Sequence, residues 1–364
     1  MKKKIFKVIF LIIVTALLFA ACGNNDITLI PDPPDVAPSE TVSEVLEFFP
    51  FKADTLFVYQ GYPDERFSQL AFAGFIEGNM MQRLVNQGAV ATTEVFKYED
   101  GELRLTFGNP VVYDLINVMD EPANLNFLIL KAPLAVGNSW SMTGDDTTEI
   151  VSMDTEVETP FGIFTAMRVV TTYSNGDQMI SYFARGIGLV RRVVIWSGQE
   201  NSFSLLTIVE NTRAEMSMPM FRLDEVTYDL RKEPVRFSFA TNDDVLRILG
   251  DVLKTEGENH SPLLTPNTRI NEIVIDTPNS LVTLDVSGEF ISELDLDVDA
   301  EETKLQMLAN TIGNFFATER FIITVDGGQY RSSNVEFPQD AYITVERIEI
   351  DDVFGFGPED VIIN

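Results

Sequence analysis

The residues best suited to chemistry are few: one cysteine, Cys22, and one histidine, His260, in a chain of 364 residues that carries 56 acidic side chains. A Cys-His or Ser-His-Asp centre would have to be built on His260 alone. That residue sits in a polar loop with Glu258, Asn259 and Ser261, where a solvent-facing imidazole is expected. A histidine-based zinc site needs further nitrogen or sulfur ligands, and neither a second histidine nor a spare thiol exists. The acidic run Leu294-Asp-Leu-Asp-Val-Asp-Ala-Glu-Glu302 could cradle calcium through Asp295, Asp297, Asp299, Glu301 and Glu302. An EF-hand loop, however, requires glycine at its sixth place and glutamate at its twelfth, which here are Ala300 and Gln306. The run is better suited to capping a helix and placing negative charge in its first turn. Asp285 and Glu289 are expected to fix a turn through backbone amides. No spacing selects a carboxylate pair for glycoside hydrolysis. These residues therefore supply no catalytic, metal or cofactor assignment.

Cys22 has a different context. Lys2, Lys3, Lys4 and Lys7 form a basic start, Val8 to Ala21 is uncharged, and Ala20 and Ala21 directly precede the thiol. This arrangement resembles a bacterial lipoprotein signal, which implies lipidation of Cys22 and removal of residues 1–21. A spanning anchor fits poorly, because 14 helical residues rise about 21 Å against a hydrocarbon core of about 30 Å. Two acyl chains on one residue hold a protein stably at a membrane. The expected location is the extracytoplasmic face of the cell membrane.

Removing the signal leaves 22 of the 26 basic residues against 56 acidic ones, an excess of 34 negative charges. Such a surface argues against nucleic acid and against electrostatic adhesion to anionic headgroups. The expected partners are the membrane, through the lipid on Cys22, and envelope proteins; the oligomeric state is not legible. No disulfide can form without a second cysteine, so stability must come from packing.

Residues 22–47 hold Pro31, Pro33, Pro34 and Pro38 among polar side chains, and read as a lipidated, disordered tether. Residues 48–211 alternate in short strands, among them Ala91 to Tyr98 and Leu103 to Phe107 about an Asp100-Gly101 turn. This half is expected to be a mostly antiparallel β domain, a sandwich or open barrel, with Trp140 and Phe164 as core anchors. Residues 222–345 change period: strands around Lys232-Glu-Pro234, a helix capped by Asn242 or Asp243, a hairpin about 276–280, a helix over 299–318, and a strand from Phe321 to Val325. The order β-α-β-β-α-β predicts an α+β sandwich. Residues 346–364 read as a tail.

Thr265-Pro-Asn-Thr-Arg-Ile270, Leu284-Asp-Val-Ser-Gly-Glu-Phe290, the helical positions Leu308, Thr311, Ile312 and Phe315, and Thr324-Val-Asp-Gly327 together resemble the GerMN domain, the module of spore germination protein GerM. That resemblance implies sporulation or germination, envelope complexes and no catalytic residues. It covers about 222–338, once, where GerM-type proteins usually carry two copies. The expected function is a non-enzymatic interaction or assembly lipoprotein; the alternative is a binder of lipid or cell-wall fragments through the β-rich half.

Overall fold

The computed structural model describes residues 43–87, 91–110, 115–257, 260–338 and 341–346. Cys22, the signal, most of the tether and the tail beyond 346 lie outside them. The first described element corrects the tether boundary. Helix α1, Glu44–Phe48, starts inside the segment expected to be disordered up to 47, with the Ser43 hydroxyl accepting from the Val45 amide. Val45, Phe48 and Phe49, at i, i+3 and i+4, are all buried, and that apolar face orders the turn.

Alternation then builds twelve strands: β1 Thr55–Tyr62, β2 Gln69–Glu77, β3 Met80–Asn86, β4 Ala91–Glu99, β5 Glu102–Pro110, β6 Phe127–Lys131, β7 Ser139–Trp140, β8 Thr147–Thr159, β9 Gly162–Thr172, β10 Gln178–Ala184, β11 Gly188–Trp196 and β12 Gln199–Glu210. They form one antiparallel sheet of two six-stranded meanders, β1 to β6 and β7 to β12, joined where β1 pairs β12. The β4–β5 hairpin turns on Asp100 and Gly101, both at positive φ (51° and 80°), the conformation that Asp-Gly favours. The two ends of the sheet approach each other. The Leu128 amide donates to the Met142 carbonyl at 3.1 Å, and Trp140 Nε1 donates to the Leu128 carbonyl at 2.9 Å. The sheet is therefore a nearly closed barrel. One apolar cluster takes Ala73, Phe96, Leu130, Ile150, Phe183 and Leu189 from strands all around it, so these side chains face one another across the interior. Helix α1 adds Val45, Phe48 and Phe49 to that cluster.

The remaining chain packs on the outer side of β2 and β3. β13, Ala214–Leu223, pairs along its length with β14, Leu230–Phe239. β14 is one strand where two were expected, and it forms a separate hairpin instead of joining the later sheet. β13 lies outside the expected elements, because Met216-Ser-Met-Pro-Met220 lacks alternation and contains a proline. Pro219 faces Pro234 across the hairpin, so neither strand loses an amide partner to a lone proline. Helix α2, Val245–Leu253, is capped by Asp244, whose carboxylate accepts from the Arg247 amide at 3.0 Å. Asp243, one of the two expected caps, instead accepts from the Ala240 amide.

The later sheet pairs β15, Ile270–Asp276, with β16, Leu281–Val286, antiparallel, and β16 with β17, Arg320–Val325, parallel. Short strands β18, Gly328–Gln329, and β19, Ile343–Thr344, pair with β17. Between β16 and β17 run α3, Glu289–Ser292, and α4, Val298–Phe315. Leu308, Ile312 and Phe316 of this segment share one core with Val282 and Leu284 of the sheet, Met218 and Met220 of the hairpin, and Phe72 and Leu84 from the outside of the barrel.

Candidate functional site

The residues that sequence reasoning singled out are put to structural use where they are described. Cys22 lies outside the described residues. His260 is half-buried: Nδ1 lies 3.1 Å from the Leu223 carbonyl, and since a carbonyl only accepts, that nitrogen carries the proton. Asp297 of the acidic run caps α4 by accepting from the Ala300 amide at 2.9 Å. Glu301, one turn on, is buried and accepts from the Tyr330 hydroxyl at 2.6 Å and from Asn334 Nδ2 at 3.0 Å. Among the described residues no three His, Cys, Asp or Glu side chains converge in a way that could hold a metal ion.

Asp285 accepts from Thr324 Oγ1 at 2.6 Å, from Asn271 Nδ2 at 2.9 Å and from the Gly327 amide at 2.8 Å. Burial opposes its charge, and these bonds outweigh that cost, holding the carboxyl below its usual range. Glu289 opens α3 and pairs with Arg269 at 3.6 Å. Trp140 is buried at the barrel seam, and Phe164 is half-buried, stacked on Phe161 with ring centroids 6.3 Å apart.

Two other places carry features that sequence reasoning missed. The first is the tip of the β13–β14 hairpin. Val226, Tyr228 and Leu230 are 69%, 76% and 58% exposed. Asp224 orders the turn beneath them, accepting from the Val226 and Thr227 amides at 2.9 Å each and pairing with Arg231 at 2.9 Å. The Thr227 and Val226 amides, with Arg231, hold its carboxyl below the usual range. Tyr228 takes φ +60°, which is unusual for a bulky residue and is fixed here by its amide donating to the Asp224 carbonyl at 2.7 Å. The strands just below the tip are also tied down. Arg222, 1% exposed, donates to the Thr255 carbonyl at 2.8 Å and pairs with Glu233 at 3.2 Å. Ser261 donates to Glu225. The alternation of Val226, Tyr228 and Leu230 was legible, yet it reads equally as a strand, and only the long β13 partner shows that it falls at a turn.

The second place is inside the barrel. Arg83 of β3 donates through Nε and a terminal nitrogen to Glu94 Oε2 at 3.1 and 2.6 Å, and its guanidinium lies 4.9 Å from the Phe96 ring centroid. Arg192 of β11 donates through Nε to Ser181 Oγ at 3.1 Å and lies 5.9 Å from the Phe203 ring centroid. Tyr59, buried between them, donates to the Leu189 carbonyl at 3.0 Å, and burial pushes its hydroxyl up to about 12. They come from β3, β4, β1 and β11, which lie on one stretch of the sheet with β1 midway between β3 and β11, so it is the order of the strands and not local sequence that brings them to one face.

No family model matches the chain, and no curated protein does. The GerMN resemblance therefore rests on the residues quoted for it. Solved structures similar to part of the chain include a protein provisionally assigned as exported, with a YmcC-like fold, from Bacteroides fragilis: 13% identity, 44% of this chain and 98% of that one, TM-score 0.29. A provisionally assigned lipoprotein from Clostridium perfringens is 17% identical over 36% of this chain and 87% of its own, with a TM-score of 0.23. One from Parabacteroides distasonis is 13% identical over 44% and 98%, with a TM-score of 0.26. TM-scores this low carry no argument about architecture or activity. Among the described residues no helix is long and apolar enough to cross a membrane, a statement that does not bear on β-barrels.

Proposed function

We propose that this chain is a lipid-anchored extracytoplasmic lipoprotein that acts without catalysis, as an interaction module in envelope complexes. The observation that supports this reading is the hairpin tip. Three large apolar side chains are held in water by a turn that Asp224 and Arg231 brace, and exposing them costs free energy unless a partner covers them. An aromatic flanked by aliphatics on a rigid support is the kind of anchor that dominates protein interfaces. The titratable groups reviewed above are engaged in capping, turn and core hydrogen bonds, in keeping with a binding role. The GerMN resemblance extends the proposal to complexes formed in sporulation or germination.

The test is a pull-down of lipidated protein from sporulating and vegetative cells, comparing wild type with Val226→Ser/Tyr228→Ser. The expected result is an envelope protein recovered with wild type and reduced at least tenfold with the double variant. Equal recovery with both proteins contradicts the proposal.

A further inference from the structure

Below its tip the β13–β14 hairpin has one edge taken and one edge open. The Asp224 amide donates to the Asp229 carbonyl at 3.0 Å, which marks these two as a hydrogen-bonded pair. Bonded and non-bonded pairs alternate in an antiparallel ladder. The register from Leu223↔Leu230 to Ala214↔Phe239 therefore turns the odd-numbered backbone groups of β13 and the even-numbered ones of β14 outward. The opposed prolines agree, since Pro219 and Pro234 fall at a non-bonded pair, where neither needs an amide. On the β13 side the outward groups are used: the Phe221 amide donates to Thr311 Oγ1 at 3.0 Å, and the Leu223 carbonyl accepts from His260. On the β14 side the Ser238 carbonyl accepts from a terminal nitrogen of Arg213 at 3.1 Å. Nearer the tip, the outward amides and carbonyls of Leu230 and Lys232 and the carbonyl of Pro234 have no hydrogen-bond partner among the described residues, and all three residues are exposed.

The same alternation sorts the side chains. Val235 and Phe237 lie on the core side, each half-buried at its border. Lys232, Pro234 and Arg236 stand exposed on the opposite side. The acids nearest Lys232 in the hairpin are already engaged, Glu233 with Arg222 and Asp224 with Arg231, and Lys232 makes no ion pair among the described residues. Lysine and proline on an edge discourage pairing between copies. Two copies meeting antiparallel about Pro234 would set Lys232 against Arg236, like charges directly opposed. A strand that carries acids is attracted by the same two residues, which lie four apart and so about 13 Å apart along one face. The chain's acidity elsewhere is screened beyond about 8 Å at physiological ionic strength, so the local cations decide.

We infer that the outer edge of β14 takes up, as a third strand of the hairpin, an extended segment of a partner protein in which acidic and apolar residues alternate. Its backbone satisfies the open groups of Leu230, Lys232 and Pro234, its acids face Lys232 and Arg236, and its apolar side chains extend the core face beside Val235 and Phe237. Main-chain bonds then supply affinity and the alternate side chains supply specificity. This names the chemistry of the partner in the interaction role proposed above, and rests on that role for there being a partner. Leu230 belongs both to the exposed tip and to the open edge, so one partner can run from the first onto the second.

The experiment titrates the full chain in nanodiscs against a fluorescein-labelled eight-residue peptide alternating Glu and Val, read by anisotropy. Two control peptides accompany it, one with Lys in place of Glu and one N-methylated at every peptide bond. The Glu/Val peptide is expected to bind saturably, with each control at least tenfold weaker, because one reverses the charge and the other cannot pair as a strand. Lys232→Glu is expected to weaken the Glu/Val peptide at least tenfold. Val226→Ser/Tyr228→Ser should leave its affinity unchanged, so that failure of the edge and failure of the tip are told apart. Hydrogen exchange should slow at the Lys232 amide when the peptide is added to wild type, a readout that decides the matter if Lys232→Glu misfolds. Absence of saturable binding, equal affinity for the N-methylated peptide, exchange unchanged at Lys232, or binding that appears only after residues 347–364 are removed overturns the inference.

Discussion

The barrel and the α/β body packed on its flank solve the burial of charge in opposite ways. In the body the apolar core is mainly Leu, Ile, Val, Phe and Met, and its two most deeply buried charges have partners: Glu301 with Tyr330 and Asn334, Arg222 through its terminal nitrogens with Thr255 and Glu233. In the barrel, charges stand among the interior side chains, with Arg83 and Glu94 at 20% and 22% side-chain exposure, so water still reaches them. The contrast shows where each region is free to change. A core that bridges hairpin, helix and barrel wall is a structural joint, whereas the barrel interior keeps an ion pair in partial contact with water.

The sharpest way to break the contrast is in the joint. Leu308 is fully buried on α4 and shares a core with the hairpin, the sheet and the barrel wall. Leu308→Ala should cost about 2–5 kcal/mol, read as a drop in the denaturation midpoint of the whole unit. A change limited to the C-terminal elements would show that the two regions unfold separately. Smaller is the effect expected inside the barrel. Glu94→Gln removes the partner of a guanidinium that stays partly wet, and should cost about 1–3 kcal/mol, tending to the lower figure if water takes over the bond. A cost as large as that of Leu308→Ala would mean that the barrel interior is as dry as the body.

The seam gives a smaller effect still. Trp140→Phe keeps most of the apolar volume but deletes the Nε1 bond to the Leu128 carbonyl, and should cost about 1 kcal/mol, with faster amide exchange at Leu128 as the local sign. A further test is read against pH. Asp285 has its folded pKa depressed, so its contribution to stability is present above the unfolded value, near 4, and disappears as pH falls through the lower folded value. Asp285→Asn should therefore flatten the acid limb of stability against pH below about 4. An unchanged limb would show that other carboxylates control it.

The same contrast governs how much was legible in the sequence. Elements made by local pattern could be read: the Asp100-Gly101 hairpin, the strands from Ile270 and Leu281, and the helix that occupies Val298–Phe315. What escaped depends on distant partners. β13 lacks alternation because its Met-rich side meets α4 while its neighbouring residues are also covered. β2 and β3 were passed over, although Gly78 at φ +56° marks their turn. The candidate sites fared likewise. Of the named residues, Asp297 caps its helix as its neighbours suggested, whereas Asp285 bonds to Asn271, Thr324 and the Gly327 amide and not to the turn after its own strand, and His260 is half-buried against the Leu223 carbonyl, 37 residues earlier. Arg192 carried no clear local signal, since Arg191 and Arg192 stand side by side between valines and the pattern does not say which of the two faces inward.

The central claim, that the braced hairpin tip is a docking surface, is tested most directly by photo-crosslinking in intact cells, with a benzoyl-phenylalanine in place of Tyr228 and, separately, of Trp196, an exposed aromatic on the barrel. The account predicts a discrete adduct to an envelope protein from position 228 and not from 196. No adduct at 228, or the same adducts from both positions, would contradict it.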